Sequence, residues 1–264
     1  MEPILVKIGG ELVEDPQLLK LLKDWLHEQK EQSQPVVIVH GAGKQVDLLS
    51  QRLKVETVKH LGRRVTNQET LQIFIQAMAG SVNKKLVAEL RSSGLSPVGI
   101  TAADGNISTS IKRKPLQING DEVDFGYVGD IQDVDPTLVK VMLQNNFIPV
   151  IGCLTWSDDD GLMNINADTL AMHLSVALNC NSLILLTKAG AVFDQQQKPI
   201  SSLTASEFEK GLQQGWIKDG MIPKLETGFQ AISGGVTEVT ICNPDTLLNK
   251  TGTNLLNEEE IKHA

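Results

Sequence analysis

Val36-Val37-Ile38-Val39-His40-Gly41-Ala42-Gly43 passes from β-branched residues into a glycine turn, and the helical pattern Gln45–Leu53 follows at once. A strand that is apolar at every position has no solvent face, so it belongs in a sheet covered on both sides. The same signature recurs outward from this stretch. Ile4–Ile8, Ser96–Thr101, Ile148–Leu154, Leu183–Thr187 and Val236–Cys242 read as strands. Gln17–Gln29, Glu69–Ser92, Pro136–Asn145, Asp168–Leu178, Ala205–Gln213 and Lys224–Ile232 read as helices between them. This alternation predicts an α/β fold with an open, mainly parallel sheet sandwiched by helices. One region departs from it: Lys114–Ile118 and Glu122–Tyr127 flank Asn119-Gly120, a strong turn signal for an inserted β-hairpin. Such a hairpin is either a flap beside a site or an edge elaboration.

The chain of 264 residues has room for two modest domains or one large α/β unit. With no low-complexity linker, the boundary is placed near Asn179-Cys180-Asn181, dividing 1–179 from 180–264. The 41% hydrophobic content supports an extensive core, yet no window approaches the roughly 18 apolar residues of a membrane span. Met1–Val6 lacks the basic flank and cleavage site of a signal peptide, so a cytoplasmic chain with no membrane partner is expected. Cys153, Cys180 and Cys242 lack metal-type spacing and read as reduced core thiols. A net charge of −8 with no basic stripe argues against a nucleic acid partner, and Lys112-Arg113-Lys114 reads as a solvated turn. The polar tail Asn257–Ala264 is expected to fray. An acidic protein that binds anions must concentrate positive charge locally, which directs attention to single lysines and arginines.

Lys7 lies inside the first apolar strand. Either it snorkels at a strand edge or it meets a ligand at the carboxyl end of a parallel strand. The turn Gly41-Ala42-Gly43 exposes N–H groups at a helix start, which suits phosphate or carboxylate. Val46 stands where a dinucleotide fingerprint needs its third glycine, and no Walker-type loop occurs. In Gly62-Arg63-Arg64-Val65-Thr66, the arginines are either solvated or supply one guanidinium that clamps a carboxylate. Asn164, Asn166 and Asp168 alternate just before a helix; Asp168 could be an N-cap, while two further asparagines suit substrate positioning. Lys224 sits near a helix start, where a cation is unfavourable unless an anion accompanies it.

Taken in order, these pieces resemble the amino-acid kinase family, and within it the branch that acts on N-acylated glutamate. The likeness runs from Ile4 to about Leu255. It includes Lys7-Ile8-Gly9-Gly10, His40–Gly43, Gly62–Thr66, Gly80–Lys84, Gly126–Gly129, Asn164–Asp168, Asp219–Lys224 and Gly252-Thr253. The resemblance implies the amino-acid kinase fold and ATP-dependent phosphorylation of the γ-carboxylate of N-acetyl-L-glutamate, with N-succinyl-L-glutamate as the alternative, in arginine biosynthesis. It implies that Lys7 and Lys224 stabilise the transferring phosphoryl group and that Asp168 holds both lysines. Gly41, Ala42 and Gly43 would bind the phosphoryl oxygens, and Arg64, Asn164 and Asn166 the acyl-amino acid. Lys7, Gly9, Gly10, Thr187 and Lys224 would line the nucleotide side, with Mg²⁺ carried by ATP rather than by protein ligands.

The resemblance further implies an acyl-amino-acid-binding and dimerising part in 1–179 and an ATP-binding part in 180–264. Lys7 lies too near the start for the additional helix of arginine-inhibited hexamers, so a homodimer without that feedback is expected. Three departures stand out: Ala42 replaces a glycine, Lys188 an acidic residue, and Ala191 another glycine. They motivate the alternative of a catalytically impaired sensor of amino acid or nucleotide.

Overall fold

A computed structural model describes residues 1–257 apart from Glu11, Leu61, Gly62, Asn119, Asp219 and Lys250. The expected tail at 258–264 and the residue at 119 in the hairpin turn therefore lie outside the described residues.

Eight strands form the main sheet, in the order Ser202–Thr204, Thr253–Leu256, Glu238–Cys242, Ser182–Leu186, Ile4–Ile8, Val36–His40, Ile148–Gly152 and Pro97–Thr101. All neighbours are parallel except Glu238–Cys242 with Thr253–Leu256. The central strands carry the core. Leu5, Val6, Val37, Ile38, Val39, Val150 and Leu183 are fully buried, each contributing about 1.5–3 kcal/mol relative to exposure. Helix Pro16–Glu31 shows how the covering layers form. Asp15 caps it by accepting from the Gln17 and Leu18 N–H groups, Pro16 fits the first turn, and Leu19, Leu22, Trp25 and Leu26 make its buried stripe. Among the described residues no helix is long and apolar enough to cross a membrane.

The first strand leads to Val36–His40 on one side, while the later strand Ser182–Leu186 lies on its other side. Strand order therefore reverses at Ile4–Ile8. Open parallel sheets bind ligands outside the carboxyl ends of strands at such a point, and Lys7, paired in register with Leu185 and Val39, stands there.

Two expectations need correction, and the expected hairpin is present. The run Ile148–Leu154 is two strands: it breaks at Cys153, and Leu154–Ser157 joins a second sheet with Gly161–Asn164, Ser108–Lys112 and Gly129–Val134. The expected helix Glu69–Ser92 comprises α-helix Gln68–Ile75, a π-helical stretch Gln76–Val82 and α-helix Asn83–Ser92. The hairpin forms, with Leu116–Ile118 antiparallel to Asp121–Val123, but it makes a two-stranded sheet of its own. It is anchored beside Val65 through Ile118, Phe125 and Val128.

Candidate active site

At the reversal point Asp168 meets both lysines. Lys7 Nζ lies 2.7 Å from its Oδ1, and Lys224 Nζ donates to its Oδ2 at 3.1 Å. The three come from a central strand, from the first turn of helix Ala167–Ala177 and from the first turn of helix Met221–Ser233. Asp168 is not the helix cap: Asn166 is, accepting from the Asp168 and Thr169 N–H groups at 2.7 and 3.2 Å. Capping thus occupies Asn166 Oδ1, and its amide nitrogen is the part left for a ligand. It also releases the Asp168 carboxylate for the lysines. Asp168 explains how Lys224 tolerates the positive end of a helix dipole.

Burial opposes each charge of the trio. For Asp168 the attraction of Lys7 and Lys224 overcomes burial and holds the carboxyl below its ordinary value. For Lys7 burial pulls downward, but Asp168 outweighs it and the pKa is raised. For Lys224 burial, joined by repulsion from Lys7, outweighs Asp168 and the pKa is lowered. Nearby Cys153 is a buried free thiol that burial pushes up to about 12. It is no nucleophile, and Cys180 and Cys242 are likewise buried and free.

Two glycine turns converge beside the trio. Gly10 packs so tightly that an added Cβ would lie 2.5 Å from Gln45 Oε1, 2.8 Å from the Gly41 carbonyl and 2.9 Å from Ala42 Cα. Gln45 reinforces the contact by donating to the Gly10 carbonyl at 2.7 Å. By contrast, a Cβ on Gly43 would meet nothing within 4 Å. Gly43 opens helix Gly43–Leu53, and Ala42 at the cap position has no side-chain capping bond. The first-turn N–H groups are therefore left for an anion. Ala42 sits at φ −141°, where an L side chain is unstrained. Near Thr187 the positive φ of +80° falls on Gly190, so Ala191 carries no strain of this kind either.

These contacts separate two glycine roles. Gly10→Ala is expected to destabilise the fold by about 1–3 kcal/mol through overpacking, whereas Gly43→Ala should stay within roughly 0.5 kcal/mol of the parent. Urea unfolding of the two variants makes the comparison. Equal midpoints would mean that the Gly10 approach is not tight.

Arg64 faces inward as one of the two sequence readings required, with its side chain 8% exposed. Its Nη2 donates to the Gly43 carbonyl at 3.0 Å and lies 2.8 Å from Asp47 Oδ1. The Asp47 contact is a charge pairing whose angle makes no hydrogen bond, and Arg64 Nη1 is buried without a partner. Lys59 donates to the other Asp47 oxygen at 2.7 Å. Burial would raise the Asp47 pKa, but Lys59 and Arg64 hold it below the ordinary value. An unfilled guanidinium donor beside a cluster of free helix N–H groups suits a ligand carboxylate. Asn164 donates to Thr66 Oγ1 at 3.2 Å, two residues from Arg64. Thr66 is held in turn by backbone bonds to Phe125 and Tyr127.

Gly9 and Thr187 line a small depression with Leu12, Leu18, Leu186, Lys188 and Pro244. The expected residues therefore fall into three neighbourhoods: the charged trio, the glycine turns with Arg64, and this depression. Sequence reading missed Asp47, Gln45 and Thr66 as site supports. Thr66 closes the arginine motif and Asp47 lies one turn beyond the glycine turn, but each resembles an ordinary polar residue.

A parallel sheet with cationic groups and a helix start at its switch point defines a phosphate-handling α/β protein. Residues 2–243 match the amino acid kinase family, and the chain belongs to it. The chain is 36% identical over 258 residues to the acetylglutamate kinase of Bacteroides thetaiotaomicron, covering 95% of this chain and 97% of that one. It is 35% identical over 255 residues to the acetylglutamate kinase of Methanopyrus kandleri, covering 94% and 98%. Among solved structures, smu.665 from Streptococcus mutans UA159 superposes with a TM-score of 0.79 at 29% identity, covering 96% and 98%.

Proposed function

We propose that this chain is an acetylglutamate kinase, transferring the γ-phosphoryl group of ATP to the γ-carboxylate of N-acetyl-L-glutamate in arginine biosynthesis. The carrying observation is the Asp168 carboxylate gripped by Lys7 and Lys224 at the strand-order reversal. In this reading a carboxylate oxygen forms a bond to the γ-phosphorus as the bond from that phosphorus to the β,γ-bridging oxygen breaks, releasing ADP. The acceptor, with an ordinary pKa of about 4.3, is already ionised and needs no general base. The protein's work is positioning and charge stabilisation. Lys7 and Lys224 face the phosphoryl oxygens, and Asp168 keeps both ammonium groups in place. The free N–H groups at Gly43 add fixed dipoles. Arg64 takes the substrate α-carboxylate through its unfilled Nη1, with Asn164 beside it.

Segment 1–179 is assigned to the acyl-amino acid and dimer contact, and 180–264 to ATP through Thr187 and the Gly9 depression. Among the described residues no three His, Cys, Asp or Glu side chains gather as a metal-ligand group, and Asp168 is already taken by two lysines. Mg²⁺ bound to phosphates needs few protein ligands, so the ion is assigned to the ATP phosphates. The relatives' names favour the acetyl group over the succinyl group, and a kinase over the sensor. Incubation with MgATP and each acylglutamate, followed by hydroxylamine trapping, tests the reading. Hydroxamate from the acetyl substrate supports it, and no hydroxamate from either would end it.

The trio also sets a pH response. A lysine acts while protonated, and Lys224 loses its proton below the ordinary 10.5. Thus kcat/KM, which reports the free enzyme, is expected to fall on an alkaline limb centred below pH 10.5. A profile flat through that pH would remove Lys224 from its role.

A further inference from the structure

Behind the glycine turn lies a buried polar chain that the phosphoryl-transfer roles do not use. His40 is fully buried at the end of its strand, and Asn83, 1% exposed, begins the α-helix after the π-helical stretch. The Asn83 amide nitrogen lies 2.9 Å from His40 Nε2, 2.9 Å from the Val150 carbonyl and 3.2 Å from the Ile100 carbonyl. Its oxygen accepts from Lys84 Nζ at 2.9 Å, and Lys84 also donates to the Gly99 carbonyl at 2.7 Å. His40 Nδ1 lies 3.3 Å from the Gly41 carbonyl.

These partners determine the proton positions. A lysine ammonium only donates, so the Asn83 group facing it is the oxygen, and the amide nitrogen faces His40. His40 Nε2 must then accept, leaving the proton on Nδ1, which donates to the Gly41 carbonyl. Burial favours the neutral ring and pushes the His40 pKa down to about 4, with Lys84 adding to the effect and the Gly41 bond opposing it. In a trans peptide the carbonyl and the following N–H point in opposite directions. Anchoring the Gly41 carbonyl therefore sets the direction of the Ala42 N–H at the mouth of the anion-binding turn.

We infer that His40 and Asn83 are positioning residues for phosphoryl transfer: Asn83 selects the His40 tautomer, and His40 Nδ1–H aims the Gly41–Gly43 turn. The π-helical stretch belongs to this device, because Asn83 follows it directly and bonds to two strands of the sheet. The inference rests on the kinase reading, and it is separable from it by experiment.

Two substitutions divide the ring's functions. Asn at position 40 places an amide where Nδ1 stands and keeps the bond to Gly41. Gln reaches to the Nε2 position and keeps the bond to Asn83. His40→Gln is expected to lower kcat roughly tenfold to a hundredfold with both KM values little changed, while His40→Asn stays within about threefold. Thermal melts accompany both, since a structural role alone would lower stability in each without separating their kcat values. Equal turnover in the two variants would overturn the inference. A second readout needs neither a variant nor turnover: ¹⁵N spectra of the parent protein at neutral pH should show His40 Nδ1 protonated and Nε2 bare. The opposite tautomer also overturns the inference. If the parent makes no acyl phosphate, the kinase reading falls by itself. The tautomer and the Ala42 amide shift, expected to be kept in His40→Asn and moved in His40→Gln, then decide the positioning claim.

Discussion

Lys224→Ala is expected to lower kcat by about a hundredfold or more, the scale of a lost donor aimed at transition-state charge. This is the cleaner of the two lysine deletions. Lys224 is 18% exposed on its side chain, and its removal leaves the 2.7 Å pair of Lys7 with Asp168 intact. Fold and substrate binding should therefore survive, with the loss concentrated in turnover. Lys7→Ala should reach a similar kcat but also destabilise the protein, because it deprives a buried carboxylate of its nearest partner. Steady-state kinetics with both substrates saturating, beside a melting curve, separate the two effects. Near-parental turnover in Lys224→Ala would rule out its contact with the transferring group.

The second large effect falls on binding. Arg64→Ala should raise KM for the acyl-amino acid roughly tenfold to a hundredfold, the equivalent of about 1.5–3 kcal/mol for charge-assisted hydrogen bonds. KM for ATP should hardly move. Arg64 spans the Gly43 carbonyl and Asp47, so its fork is oriented before the ligand arrives, and the unfilled Nη1 is the donor a carboxylate would take. Arg64→Lys should rescue little, since an ammonium lacks the planar fork. A change confined to the ATP KM would place Arg64 on the wrong side of the site.

The central strands were legible because full burial leaves a compositional mark: Ile4–Ile8 and Val36–His40 are apolar through nearly their whole length. The second sheet was not, because Ser108–Lys112 and Gly129–Val134 each have exposed or half-buried positions and polar residues that read as loop. The π-helical stretch escaped because Gln76–Val82 contains no proline and keeps a helical apolar pattern. Lys7 and Lys224 were legible as charges placed where packing or a helix dipole disfavours them, whereas Asp168, favoured at a helix start, was legible only through the ordered motif Asn164–Asp168. Asp47 was not, because a polar residue on a helix is unremarkable until its neighbours are known, and Asn83 was visible only as a member of the Gly80–Lys84 motif, with no role attached. Asn166 adds a role that the sequence did not show: its Oδ1 caps the helix, which leaves the Asp168 carboxylate for the two lysines.

The central place of Ile4–Ile8 has a consequence for the order of folding. This strand is translated before either neighbour; Val36–His40 follows soon, but the other edge pairs Ile4 with Ser182. Long-range pairing closes large loops and is slow. Until the later segment emerges, an apolar strand keeps one row of unpaired backbone groups open to other chains. A ribosome that stalls before Ser182 would therefore hold out a sticky edge carrying Lys7, without the strand that finishes its lattice. Chaperone demand should be greatest in that interval, and completion of the sheet and assembly of the phosphate site should occur together.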